Sequence, residues 1–211
     1  MDGIRGRILQ FCDQLMTLAY LNILWIGFSL LGFIVCGFFP ATVAMYTLIR
    51  RDLTDSKLDS SLASEFWKEY KLCFRSANLF GYTFICFGTV LILDLIIFLN
   101  LNTVVGYVMA SILTTLLIVY LLMTIFSLPV FVHFVGGTWK LVKKTSTLAI
   151  PLLPHALLFI LASTLLLALF IIIPAAVVFF SGSILAWLNV KLFLSGIKRI
   201  EQKQLATEPQ T

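Results

Sequence analysis

Asp94 is the one acidic residue set deep in an apolar stretch, in Leu93-Asp94-Leu95. An ionisable group in hydrocarbon is expensive and usually faces a partner or a wet cavity. A carboxylate there could meet a cation, a proton or a substrate. It also lies only about one and a half turns from Asn100, which fits a place just beneath the outer interface. Asn78 and Lys191 are the other polar side chains that could join it in an intramembrane site. Lys191 is about two turns from Lys198 and is long enough to snorkel to the inner surface; pairing with a carboxylate inside the bundle is the alternative. His133 and His155 sit at the ends of apolar stretches, where interfacial histidines fit better than a proton relay.

A second group could recognise a partner. Arg50, Arg51, Trp67, Lys71, Trp139 and Lys143 all fall between apolar stretches. Trp67-Lys68-Glu69-Tyr70-Lys71 and Trp139-Lys140-Leu141-Val142-Lys143 share the pattern W-K-x-x-K. Each precedes an apolar span by about a dozen residues. With Arg5 and Arg7 ahead of the first span, they suggest three similar units: a basic amphipathic lead, a helix out, a helix back. Interface chemistry alone, which favours both Trp and Lys, gives the same pattern.

Enzymatic signatures are missing. The chain has no G-x-S-x-G, P-loop, H-E-x-x-H or paired-carboxylate arrangement, so it reads as non-enzymatic. Cys12, Cys36, Cys73 and Cys86 form no C-x-x-C pair and no histidine lies at ligand spacing, so neither a metal site nor a cofactor is implied.

The elements that must position these residues follow from composition. The chain is 60% apolar and 12% charged, against about 25% charged in a soluble domain. Lipid is the solvent this composition requires. Lys and Arg outnumber Asp and Glu, 15 to 10, and the positive charge sits at the ends of apolar runs. They mark a cytoplasmic face beside anionic lipid, not a nucleic-acid surface.

About 20 apolar residues cross the hydrocarbon. The spacing predicts spans over Leu15–Cys36, with Asp13 as its N-cap, and over Asn78–Phe98, Gly106–Phe134, Leu152–Ile173 and Ala175–Ile197. Pro40–Ile49 is too short to cross alone and is either a short tilted return or a re-entrant piece. Residues 52–61 read as a loop, Leu62–Arg75 as an amphipathic interfacial helix, Gly136–Ser146 as a basic inner loop, and 201–211 as a flexible cytoplasmic tail. Gly27, Gly32 and Gly37 suit close approach or bending. The fold class is an all-α polytopic membrane bundle. It has about six transmembrane helices in hairpin units, with residues 1–200 forming a single membrane domain. Both termini are expected in the cytoplasm.

The stretch Leu18–Arg51 resembles the opening of the YesL-like family of small bacterial membrane proteins of uncharacterised function. Ala19-Tyr20-Leu21-Asn22, Trp25, Gly32, Phe39-Pro40-Ala41-Thr42 and Arg50 carry the likeness. It continues through Phe66-Trp67, Tyr70-Lys71, Phe74 and Asn78, and beyond about Gly81 it is one of hydropathy and spacing. Such genes often lie beside sugar-uptake ABC transporters and carbohydrate-degrading enzymes. The resemblance therefore implies a multi-pass protein of the bacterial cell membrane that assists oligosaccharide uptake, with ABC permease or ATPase subunits as partners. An independent carrier or channel using Asp94, and a membrane sensor contacting partners through residues 52–75, are the alternatives.

Overall fold

The computed structural model describes residues 4–54, 61–134 and 136–207. Seven α-helices follow in order: α1 (Ile4–Leu31), α2 (Phe38–Leu53), α3 (Leu62–Asn100), α4 (Val104–His133), α5 (Thr138–Ala149), α6 (Leu153–Ile172) and α7 (Pro174–Thr207). There is no strand among the described residues. Five helices, α1, α3, α4, α6 and α7, contain stretches long and apolar enough to cross a membrane. The chain is a multi-pass helical membrane bundle.

The short helix α2 is different. Its 16 residues span about 24 Å, short of the roughly 30 Å of hydrocarbon. Nine of them are buried, from Pro40 to Ile49. It packs against α1, α3, α4 and α7. Ala41, Ala44, Met45, Leu48 and Ile49 join Leu18 and Leu21 of α1, Phe66 and Tyr70 of α3, and Ala186 and Val190 of α7 in one core. The other helices turn most of their surface outward: Leu, Ile, Val and Phe side chains along α3, α4 and α6 are exposed. Lipid covers these, whereas protein covers α2.

Several boundaries differ from the pattern reading. Asp13 is not an N-cap, because α1 runs through it from Ile4 to Leu31. The helix stops six residues before Gly37, and a turn over 32–37 leads into α2. Leu62–Arg75 is not a separate interfacial helix. It is continuous with the following span in the 39-residue α3. Its apolar stripe stays in register because Phe66 and Tyr70 are buried against α1 and α2, with the Phe28 ring stacked on Phe66 (5.1 Å) and Trp67 (5.5 Å). The basic segment expected as a loop forms α5, which joins the ends of α4 and α6 on one side of the bundle. Its Leu141, Thr145 and Ala149 face inward at helical spacing and its lysines outward. The expected tail residues 201–207 continue α7. The remainder of the expected 52–61 loop, at 55–60, and the tail residues 208–211 lie outside the described residues.

The 32–37 turn depends on small residues. A Cβ on Gly32 would overlap the Gly37 backbone, and one on Gly37 would press on the Ser29 and Phe28 carbonyls. Gly27 is not part of this close approach, since a Cβ there meets nothing within 4 Å. Phe33 (φ 53°) and Ile34 (φ 62°) occupy the left-handed region, which is strained for a β-branched residue.

α3 is about 58 Å long, more than the roughly 40–45 Å of a whole bilayer. In a background with Cys12, Cys36, Cys73 and Cys86 replaced by Ser, Ser64→Cys and Asn102→Cys are therefore expected to react with impermeant thiol reagent from opposite faces of sealed vesicles. Labelling of both from one face would refute a spanning α3.

Candidate functional site

Backbone groups in hydrocarbon have no water to bond, so each break in a helix must be satisfied by the protein. Two prolines create such breaks. Pro40 has no N–H to offer the carbonyl four residues back, that of Cys36. Asn78 of α3 fills the gap: its Nδ2 donates to Cys36 O (2.9 Å) and to Phe74 O (3.0 Å). Tyr82, one turn on, donates its hydroxyl to Val35 O (2.6 Å). Both carbonyls lie in the 32–37 turn. The surrounding Leu30, Leu31, Phe33, Ile34 and Val35 are exposed, a surface suited to lipid and not to water.

The same logic recurs in α4. Pro129 orphans the carbonyl of Ile125, and Asn189 of α7 donates its Nδ2 to that oxygen (2.8 Å). A third asparagine, Asn22, is fully buried between α1 and α7. Its Nδ2 donates to Val178 O (2.7 Å), while its Oδ1 accepts from Gly182 N (2.9 Å) and Ser183 N (3.0 Å). Val178 and Gly182 are the two ends of one helical rung, so the Asn22 amide straddles it. A Cβ on Gly182 would stand 3.1 Å from Asn22 Oδ1 and 3.2 Å from the Trp25 ring. Trp25 Nε1 donates to Thr42 Oγ1 (3.0 Å), and Thr42 Oγ1 to Phe38 O (2.6 Å). Asn22, Trp25, Thr42 and Asn78 thus lace α1, α2, α3 and α7 together.

At the far end of α2, Arg51 meets Glu69 of α3 (2.5 Å) and approaches Glu65 (3.9 Å). Glu69 is a buried carboxylate, and the pair holds α2 against the first turns of α3. The neighbouring Arg50 is partly buried. Burial lowers its pKa from the usual arginine range, Arg51 beside it lowers it further, and Glu69 opposes both. Its Nε, like the Nδ1 of His133 and of His155, is buried without a partner among the described residues. His133 packs on Phe193 (5.6 Å) and His155 is half-buried beside Gly196, so both abut the same stretch of α7.

The three expected intramembrane residues do not converge. Asn78 and Asp94 are sixteen residues apart on α3, about 24 Å. Asp94 is half-buried and makes no hydrogen bond or ion pair among the described residues. Lys191 is exposed, its Nζ 4.3 Å from the centre of the Trp187 ring. Of the six expected docking residues, Arg51 is turned into the Glu69 pair. Lys71 lies over Trp67 (4.9 Å) and Lys143 over Trp139 (5.7 Å), on α3 and α5 respectively. W-K-x-x-K therefore works through its i and i+4 members. Trp187 and Lys191 form a third such pair, hidden from the pattern search because Leu188 replaces the first lysine. Glu69 was also missed, since nothing local shows that a carboxylate within a basic helix faces inward.

Residues 18–95 match the family described as "Protein of unknown function, DUF624". The chain is 30% identical to the uncharacterized protein YteU of Bacillus subtilis (strain 168) over 202 residues, 95% of this chain and 90% of that protein. It belongs to this family. It is also similar to the uncharacterized protein YesL of the same organism, 28% identical over 97% of this chain and 96% of the relative. YesV, also uncharacterized, is 28% identical over 58% of this chain and 59% of its own length. No solved structure matches. The resemblance seen in Leu18–Asn78 is thus one of family, and the matched region holds Asn22, Trp25, Thr42, Arg51, Glu69 and Asn78.

If Asn189 serves the carbonyl freed by Pro129, the two residues are coupled. Asn189→Ala is expected to destabilise the protein by about 1–2 kcal/mol. In Pro129→Ala, which restores the backbone donor, the same substitution is expected to lose most of that effect. Reversible unfolding in mixed micelles gives the coupling; equal losses in both backgrounds would disprove it. Likewise Arg51→Ala, which leaves the Glu69 carboxylate buried and unpaired, is expected to lose about 2 kcal/mol and to recover part of it when Glu69→Gln is added.

Proposed function

We propose that this protein is a non-enzymatic accessory of carbohydrate uptake in a bacterial cell membrane, working beside the permease or ATPase subunits of a sugar ABC transporter, with both termini in the cytoplasm. The observation that carries an accessory role over a carrier role is the use made of the interior polar groups. Asn22, Asn78 and Asn189 each bond to the backbone of another helix. Each amide nitrogen is spent on a backbone carbonyl, and Asp94 stands apart from them. A bundle laced this way is a scaffold.

What the scaffold offers a partner lies on its basic side. Trp67 and Lys71 on α3, and Trp139 and Lys143 on α5, combine exposed aromatic area with cations, the residue types that anchor interfaces. Cytoplasmic orientation follows from the positive-inside tendency applied to Arg50, Arg51 and the α5 lysines. The link to carbohydrate rests on the genomic setting typical of YesL-like proteins.

Affinity purification of the chromosomally tagged protein from native membranes tests this reading. Sugar permease or ATPase subunits are expected to co-purify in mild detergent and to be depleted when Trp67→Ala is combined with Lys71→Ala. Solitary behaviour would overturn it. Solute flux in proteoliposomes that is abolished by Asp94→Asn would replace it with the carrier reading.

A further inference from the structure

Between α3, α4 and α5 lies an open groove of about 410 Å³, within the roughly 300–1,000 Å³ of ligand pockets. Its walls are chemically graded. Phe87 and Leu91 of α3 and Leu116 of α4 make the far part apolar, while Trp139, Lys143 and Ser146 of α5 close the other end. Tyr120 sets the floor: its hydroxyl donates to Phe84 O (2.7 Å), and the ring lies where a Cβ on Gly88 would stand.

We infer that this groove binds one anionic phospholipid of the cytoplasmic leaflet, with an acyl chain between α3 and α4 and the phosphate on Lys143. Three observations carry the assignment. First, the α3 wall from Thr83 to Leu91 is about 12 Å long, close to the roughly 15 Å of one hydrocarbon leaflet, half of about 30 Å. Second, α5 joins the ends of α4 and α6 on one side of the bundle, so the cationic end of the groove lies at a membrane surface and its apolar end points into the hydrocarbon. Third, residues 136–150 hold Lys140, Lys143 and Lys144 and no carboxylate. Lys144 is turned onto the Phe134 ring (3.4 Å), which leaves Lys143 facing the groove with an aromatic neighbour at headgroup level. A neutral lipid would satisfy the groove and leave that charge uncompensated.

The test uses the full chain in mild detergent, with phosphatidylglycerol and phosphatidylcholine of identical acyl chains added at equal concentration, read by native mass spectrometry. One phosphatidylglycerol per chain is expected to be retained in preference to phosphatidylcholine. Lys143→Gln is expected to lower that preference about fivefold, the effect of one cation near an anionic surface, without preventing binding of either lipid. Leu116→Trp, which fills the apolar end, is expected to remove the bound lipid of both kinds. Should that variant not fold, Leu91→Phe serves the same purpose. Soluble glycerophosphate is expected not to compete, because it lacks the chain. Equal retention of the two lipids, a preference unchanged by Lys143→Gln, or displacement by glycerophosphate would each overturn the assignment.

Discussion

Everything in this bundle answers to one constraint: a backbone carbonyl or amide in hydrocarbon must find its partner inside the protein. Unbroken helices meet it automatically. Two prolines, Pro40 and Pro129, remove backbone donors, and in each place an asparagine from another helix bonds the freed carbonyl; a third asparagine, Asn22, bonds across the Val178–Gly182 rung of α7. Because the donor always comes from a different element, satisfying the backbone and fixing the tertiary arrangement are the same event. Interhelical polar contacts of this kind are individually modest, about 0.6–2 kcal/mol in membranes. Their importance is geometric, since an amide can bond a particular carbonyl only at one register.

The short helix α2 is the consequence. A segment too short to cross, carrying two arginines at its end, is a poor guest for lipid. It is accommodated because α1, α3, α4 and α7 surround it, because Asn78 and Tyr82 receive the turn that precedes it, and because Glu69 receives Arg51 where it ends. The aromatic stack of Phe28 on Phe66 and Trp67 closes the remaining side. Asn78, Tyr82, Glu69, Phe28, Phe66 and Trp67 all lie within the stretch 18–95 that matches the family.

The apolar outer faces and the basic α5 are a separate layer of design. Their logic is positional: tryptophan and lysine four residues apart on α3, α5 and α7 share one helix face, where the cation lies on the ring. Such pairs hold the cation beside an amphipathic ring, as a membrane surface favours.

Hydropathy and charge alone determined the class, the approximate number of spans, the pairing of Lys with Trp at helical spacing, and the special status of Pro40–Ile49. These are legible because partition into lipid depends on composition over about 20 residues, which is a local property. The sequence did not disclose that Leu62–Arg75 continues into its span, since the apolar stripe of an interfacial helix and that of a protein-covered one look alike until Phe28 and α2 are in place. It did not reveal that Asn22, Asn78 and Asn189 act in one way. Asn78 read as a candidate intramembrane site residue and Asn22 only as part of a family resemblance. Only the tertiary structure decided their role, because the carbonyl each one serves lies 42 to 156 residues away along the chain, and a hydrogen bond is specified by distance in space.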